Sequence, residues 1–315
     1  MISVVCPVYN EEDYIENVLS FFVAALPREK ELIIVDGGSN DRTREIVLQW
    51  AEKHPEIRLL DNPRKYVPFA LNLAIPQCRG SVIVRLDAHT EYAPDYFTRI
   101  LAAFEKSGAD IVGGPMRAVG RSAFQKAVAY CTSTRFGVGD SSFHDENAEG
   151  FVDSVYLGAW KAEIFKTTGY FDEQMLRNQD DEFHYRASSK GFRIYLDPSI
   201  RSVYYPRNEP RKLLSQYFQY GLFKPLVLRK VRSGMRLRHL VPTGFVLYLS
   251  GLPIMCLIAG RYSLLPLGLY SLMDVYFSIK GKETFQAKAW RLLVYPMLHL
   301  GYGSGFLLGL RKQRR

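Results

Sequence analysis

The stretch Ser81-Val-Ile-Val-Arg-Leu-Asp87-Ala-His89 is an apolar, β-branched run that ends in a carboxylate and an imidazole two residues apart. Runs of this kind, bounded by polar residues, read as buried strands. A carboxylate and an imidazole just past a strand end can turn toward one divalent cation, because the chain there leaves the ladder. Working outward, Ile2 to Cys6, Glu31 to Val35 and Asp110 to Gly113 repeat the pattern, with Ile57 to Leu60 as a further candidate. The intervening segments follow helical spacing: Tyr14, Val18, Phe21 and Phe22 mark one apolar face, and Ile46 and Trp50 a second. Ser39-Asn-Asp-Arg-Thr43 supplies capping residues for the second helix. This alternation predicts an α/β fold with a mostly parallel sheet and helices on both faces. Ligands of such a sheet bind at the carboxyl ends of its strands.

Three polar clusters fall at those ends: Pro7-Val-Tyr-Asn-Glu11, Asp36-Gly-Gly-Ser39 and Asp87-Ala-His89. One polar strand end is routine, whereas three together make the rim of a pocket. Gly37 and Gly38 form a turn whose amides, with the Asp36 carboxylate, can hold a ribose or a base edge. A second acidic cluster, Gln179-Asp-Asp-Glu-Phe183, opens a helical segment and could supply a base. The same trio could also cap that helix, where negative charge favours the N-terminus. Tyr156-Leu-Gly158-Ala-Trp160 interrupts an apolar run with small residues, so that a sugar could approach the backbone and Trp160 could stack on its ring; core packing is the other use of that indole.

The chain has 315 residues, 47% hydrophobic, and a formal net charge of +9. Its basic excess gathers at Lys224, Arg229, Lys230, Arg232, Arg236 and Arg238, directly before a long apolar stretch. That placement fits an anionic membrane surface on the cytoplasmic side, and no nucleic-acid-binding motif accompanies it. Leu240 to Gly260 carries no charged side chain and is long enough to cross a hydrocarbon core of about 30 Å. Tyr262 to Ile279 is shorter, and Leu292 to Leu310 is apolar but rich in glycine. Lys280, Lys282, Lys288, Arg291 and the run Arg311 to Arg315 would all favour the cytoplasm, which three full crossings cannot satisfy. The expectation is a hairpin of the first two segments, with the third lying in the interface or re-entering. Domains are expected at 1–235, catalytic, and 236–315, membrane-associated. Cys6, Cys78, Cys131 and Cys256 are too scattered for a metal or redox pair and read as unpaired. Met1 runs straight into an apolar strand without a basic start, which speaks against a cleaved signal peptide.

Taken in order, these motifs resemble the family 2 glycosyltransferases, whose fold is the nucleotide-sugar-binding GT-A arrangement. Pro7 to Glu11 looks like that family's opening loop, and Ile34 to Thr43 like its second. Asp87-Ala-His89 stands where the family has an Asp-x-Asp metal motif. Gln179 to Phe183 stands where it has Glu-Asp, and Gln216-Tyr-Phe-Gln-Tyr220 where it has Gln-x-x-Arg-Trp. The combination, with the apolar tail, is most similar to succinoglycan-type bacterial exopolysaccharide glucosyltransferases. The sequence departs from the wider pattern at His89, Gln179 and Gln219-Tyr220, and the missing Arg-Trp pair argues against a processive polymerase.

The resemblance implies an inverting transfer of a hexose, glucose from UDP-glucose, onto a lipid-linked saccharide. Asp180 would be the base. Asp87 and His89 would hold Mg2+ or Mn2+. Pro7, Tyr9, Glu11, Asp36, Gly38, Lys65, Asp87 and Ala88 would bind the donor. Gly158, Ala159, Trp160, Asp181, Gln216, Gln219 and Tyr220 would face the donor sugar and the acceptor. Localisation at the cell inner membrane, catalytic domain in the cytoplasm, follows from the basic residues flanking the apolar segments. Two rival readings share this fold: transfer to a bare polyprenyl phosphate, and a non-catalytic nucleotide-sugar-binding scaffold.

Overall fold

The computed structural model describes residues 1–312 and separates into two compact units. The first comprises residues 1–117 and 145–204; the second comprises 118–144 and 205–315, described to residue 312.

The first unit opens with strand β1 (Ile2–Val8), helix α1 (Ile15–Ala24), β2 (Lys30–Asp36), α2 (Thr43–Lys53), β3 (Ile57–Asp61) and α3 (Val67–Ala74). β4 (Val82–Arg85), β5 (Thr90–Tyr92), α4 (Tyr96–Ser107) and β6 (Ile111–Gly114) follow, and β7 (Arg117–Ala118) stands at the change of unit. After the excursion through α5 (Ala123–Thr132) and α6 (Arg135–Val138), the unit resumes with β8 (Gly150–Phe151) and β9 (Tyr156–Lys161). It continues with α7 (Ile164–Thr168), α8 (Gln179–Ser189), β10 (Ile194–Leu196) and β11 (Ser202–Tyr204). The main sheet has the order β3-β2-β1-β4-β9-β6-β10-β8. β1 pairs in parallel with β2 and β4, β2 with β3, and β6 with β10. β9 runs antiparallel between β4 and β6. Every strand read from the sequence is present, and β1 and β2 are buried almost throughout, as a sheet covered on both faces requires. One helix face shifts: α1 buries Ile15, Val18, Leu19 and Phe22, while Tyr14 is exposed.

The second unit holds α5 and α6 together with α9 (Pro210–Lys230), α10 (Leu237–Ala259), α11 (Leu265–Ile279) and α12 (Phe285–Lys312). The expected boundary at residue 235 is therefore displaced. α9 belongs with the apolar tail because it packs on α12, and 118–144 belongs there because Phe136 stacks on Phe277 at 5.3 Å and Thr134 bonds the Tyr295 hydroxyl at 3.1 Å. α10 and α11 form the expected hairpin. Phe245 and Tyr270 stack at 4.2 Å, although 25 residues of continuous helix would hold them roughly 38 Å apart.

α12 packs along α9. Gly301, Gly305 and Gly309 recur every fourth residue and meet Leu214, Phe218 and Leu222 of α9, so the two helices run parallel in a constant register. A Cβ at Gly305 would collide with the Phe218 carbonyl oxygen and stand 2.9 Å from the Leu222 nitrogen. On the same helix Gly303 faces the Pro242 carbonyl of α10. This is the small-x-x-x-small contact by which helices approach closely without a water-driven force. Arg291, one of the basic residues expected to favour the cytoplasm, is buried among the helices. Its guanidinium lies 3.4 Å from the Tyr130 ring centroid and donates to the Ser278 and Lys280 carbonyls at 3.2 and 2.6 Å. Of the basic run 311–315, residues 313–315 lie outside the described residues.

Among the described residues two helical stretches are long and apolar enough to cross a membrane, Leu237–Ile279 and Phe285–Lys312. The first is almost wholly exposed along its apolar window, and the second is half buried. All four cysteines are unpaired.

Candidate active site

Parallel pairing of β2, β1 and β4 brings the ends of three strands to one edge of the first unit. β9 runs the opposite way, so its first residue, Tyr156, comes to that same edge. The loops there are laced to each other. Asn10 donates its N–H to Ser39 Oγ at 2.9 Å and accepts from the Asn40 N–H at 2.9 Å, while Glu11 donates its N–H to Thr43 Oγ1 at 2.7 Å. Asp41 accepts from the N–H groups of Thr43 and Glu12 at 3.0 and 3.1 Å, which explains why the capping run of α2 carries a carboxylate.

Asp36 closes its own turn. Its carboxylate is 2% exposed and accepts from the Ser39 N–H at 3.1 Å and from the Ser39 hydroxyl at 2.6 Å. Gly38 beside it has φ +80° with open space where a Cβ would stand, so backbone conformation requires glycine there. Tyr9 is exposed, with the Lys65 ammonium 5.4 Å from its ring centroid, and a Cβ at Gly37 would touch both residues. Tyr9, Gly37 and Lys65 thus form one continuous wall, with Pro7 half-buried behind it. The Ala88 methyl points into the core, which leaves only its backbone to meet a ligand.

The centre of the site is a residue that sequence reading passed over. Arg85, the last residue of β4, is 6% exposed. Its Nε and Nη2 donate to the Asp87 carboxylate at 3.0 and 3.3 Å, and its Nη1 donates to both oxygens of Asp180 at 3.0 and 2.8 Å. Burial opposes the guanidinium charge, but the Asp180 and Asp87 carboxylates outweigh it, so the Arg85 pKa stands above its ordinary range. The signal was in plain view, because a charge inside a buried strand must find a partner of opposite sign. The three acids of this cluster take different partners: Asp180 turns to Arg85, Asp181 accepts from Ser154 Oγ at 3.3 Å, and Glu182 pairs with Arg186 at 2.7 Å.

His89 meets Glu11, Nδ1 to Oε1 at 3.1 Å. Among the described residues no three His, Cys, Asp or Glu side chains converge as a metal cluster. A cation that binds mainly through donor phosphates needs only one or two protein carboxylates. Asp87, with His89 and Glu11 alongside, fits that modest donor set.

Three expectations are corrected. Trp160 is fully buried among Phe165, Phe171 and Phe183, with ring centroids 5.6 to 6.2 Å away, so its faces are closed to a sugar. Ala159 is an interior residue of β9, paired on both sides. The space beside Gly158 is taken by the Trp160 indole at 3.2 Å and His184 Nε2 at 3.3 Å, so the small residue serves packing. Gln216 and Tyr220 lie on α9 in the second unit, joined by a Gln216 Nε2 to Tyr220 Oη bond of 2.8 Å, and Gln219 shares that helix.

Strain gathers at this edge. The described non-glycine residues with positive φ are Asn10, Lys65, Leu157 and Asn178, which lie in the first loop, the lysine loop, the start of β9 and the residue before α8. Such conformations cost on the order of 1–3 kcal/mol each and persist where the surroundings over-determine them, commonly at functional sites.

His184, wholly buried on α8, bonds Ser154 Oγ through Nδ1 at 3.0 Å. Since Ser154 gives its only proton to Asp181, the imidazole donates from Nδ1. Burial lowers its pKa, with Asp180 and Asp181 pulling weakly the other way. The unfolded chain therefore binds the extra proton first. This stability is fully present above about pH 6.5 and is lost as pH falls toward the folded value, by up to about 1.4 kcal/mol per pH unit. We expect His184→Asn, whose amide can replace Nδ1, to flatten the fall in urea midpoint between pH 7.5 and 5.5; an unchanged slope would assign it to other groups.

A family model described as "Glycosyl transferase family 2" matches residues 3–193. The succinoglycan biosynthesis protein ExoA of Rhizobium meliloti (strain 1021) is 30% identical over 99% of this chain and 96% of its own length. A Methanococcus voltae dolichyl N-acetyl-alpha-D-glucosaminyl phosphate 3-beta-D-2,3-diacetamido-2,3-dideoxy-beta-D-glucuronosyltransferase is 27% identical over 99% and 97%. In fold, the chain is similar to the mannosyltransferase PcManGT of Pyrobaculum calidifontis, in complex with GDP-Man and Mn2+. The TM-score is 0.69 at 17% identity, covering 99% of this chain and 87% of that one. It is also similar to S. aureus TarS in complex with UDP-GlcNAc, with a TM-score of 0.56 at 16% identity over 99% and 92%. With the motifs in their expected order on a GT-A sheet, the chain belongs to glycosyl transferase family 2.

Proposed function

We propose that the protein is a membrane-attached, inverting hexosyltransferase that moves glucose from UDP-glucose to a lipid-linked saccharide in exopolysaccharide assembly. The observation that carries this reading is the Asp87–Arg85–Asp180 array at the carboxyl ends of the strands, where a base and a phosphate-side carboxylate sit within one guanidinium's reach. Asp180 takes the proton of the acceptor hydroxyl as it attacks the anomeric carbon from the face opposite the leaving group, which inverts that centre. Asp87 and His89 would hold Mg2+ or Mn2+ together with the donor phosphates, and the cation would offset the charge that develops on the departing diphosphate. The wall of Tyr9, Gly37 and Lys65 receives the nucleotide, with Pro7, Glu11, Asp36, Gly38 and the Ala88 backbone beside it. Asp181, steadied by Ser154, stands on the sugar side. The acceptor role of Gln216, Gln219 and Tyr220 rests on the resemblance of their motif alone.

A lipid-linked saccharide is favoured over a bare polyprenyl phosphate as acceptor. Two relatives that match nearly end to end are a succinoglycan biosynthesis protein and an enzyme named for a dolichyl-linked sugar phosphate. The undecaprenyl-phosphate transferases match about a third of the chain. The apolar hairpin and the basic residues before it support attachment at the cytoplasmic face of the inner membrane. The test is release of nucleoside diphosphate from a panel of nucleotide sugars by the full chain in detergent, with lipid-linked acceptor extract and Mn2+ or Mg2+. Acceptor-dependent release with UDP-glucose and a lengthened lipid-linked product is the expected result. A product carrying a single sugar on a lipid phosphate would shift the acceptor assignment, and donor binding without release would remove the enzymatic one.

A further inference from the structure

Arg85 spends its fork on two acids. Two of its nitrogens hold the oxygens of Asp87 and the third holds both oxygens of Asp180, from a strand position that leaves the side chain almost no exposed surface. A guanidinium presents its donors in a fixed plane, so the two carboxylates it grips are held in fixed relation to each other. Two carboxylates against one guanidinium leave a net charge of −1, which invites a further cation. Any such cation must share Asp87 with Arg85, and like charges at this distance in a part-buried site oppose each other.

We propose that Arg85 is a positioning residue which couples the aim of Asp180 to the occupancy of Asp87: it holds both acids in the donor-free protein, and a cation drawn to Asp87 loosens its grip there and leaves the fork to Asp180. Arg85 thus weakens cation binding in the absence of donor while setting the proton acceptor for turnover. This rests on the reading of Asp87 as the cation's carboxylate and Asp180 as the base. A residue needed only for packing would have a different signature, since its loss would lower cation binding, donor binding and stability together.

The experiment uses the full chain in detergent, with Mn2+ alone as probe, read by the electron paramagnetic resonance signal of the free ion, alongside steady-state kinetics. Arg85→Met is expected to bind Mn2+ about tenfold more tightly without donor, because the competing charge is gone. Its kcat should fall at least about 100-fold while the donor KM stays within about threefold. If that variant does not fold, Arg85→Gln, which keeps donors without charge, carries the same two expectations. Arg85→Lys restores the charge but not the fork, so Mn2+ affinity should return close to the parent value while kcat stays at least about tenfold down. Mn2+ affinity unchanged or weakened in Arg85→Gln, or kcat retained in Arg85→Lys, would overturn the coupling. Two controls separate this from failure of the underlying reading: Asp87→Asn should abolish Mn2+ binding, and Asp180→Asn should abolish turnover, whatever the Arg85 variants do.

Discussion

Asp180→Asn should lower kcat by about 10²–10⁴-fold, with the donor KM changed by less than about threefold. The substitution keeps the shape of the side chain and one oxygen for the Arg85 Nη1 donor, yet it removes the group able to accept a proton. Asp180 is placed for this task by the αL residue Asn178, which caps the start of α8 from the position before it, and by the two bonds of 3.0 and 2.8 Å from Arg85. Losing the charge on one side of that pair should also cost about 1–3 kcal/mol of stability, so the variant's melting curve belongs beside its kinetics. A loss of kcat at unchanged KM in a folded variant is the signature of an interaction made only in the transition state. Turnover within tenfold of the parent would rule Asp180 out as the proton acceptor.

The second large effect is expected in the second unit, at Gly305 of α12. In an ordinary helix, Gly→Ala gains about 1 kcal/mol of stability. At Gly305 the added methyl meets the backbone of α9 at the Phe218 carbonyl, and backbone cannot rotate aside as a side chain can. The helices must separate along the whole Gly301–Gly305–Gly309 seam, and we expect a net loss of at least about 3 kcal/mol, with Gly305→Leu failing to fold in this unit. Gly251→Ala on α10 is the matched control, since nothing lies within 4 Å of its Cβ position, and it should be neutral or stabilising. Thermal unfolding and protease resistance in detergent read both. Equal behaviour of the two variants would mean that the seam does not hold the unit together.

Much of the catalytic unit could be read from residues, because β-branched runs separated by helical faces leave few arrangements open. The strands at Ile2, Glu31, Ile57, Ser81 and Asp110 all form, and the three polar strand ends do gather at one edge. What escaped were contacts between segments distant in sequence. The bond from Arg85 to Asp180 joins residues 95 apart, and neither neighbourhood names the other. Tyr156 to Lys161 looked like an apolar run broken by small residues. Its place between two strands became visible only with the sheet, and that place turned Trp160 from a sugar platform into core. The glycines of the last helix were seen but taken for membrane composition. Their four-residue spacing, matched by Leu214, Phe218 and Leu222, was the overlooked evidence of a helix partner.

The excursion at 118–144 sets a schedule for the ribosome. α5 and α6 leave the exit tunnel early with Phe124, Val128 and Phe136 uncovered. Their partners Trp290, Phe277 and Tyr295 belong to α11 and α12, made much later. At ordinary synthesis speeds the intervening stretch of roughly 150 residues takes on the order of 10–30 s, during which the first unit can complete itself while the second is unfinished. The earliest-made piece of the second unit therefore stays partly uncovered until α11 and α12 have emerged. A nascent chain halted before α12 would present that bare face to chaperones and proteases, which makes α12 the checkpoint for the second unit.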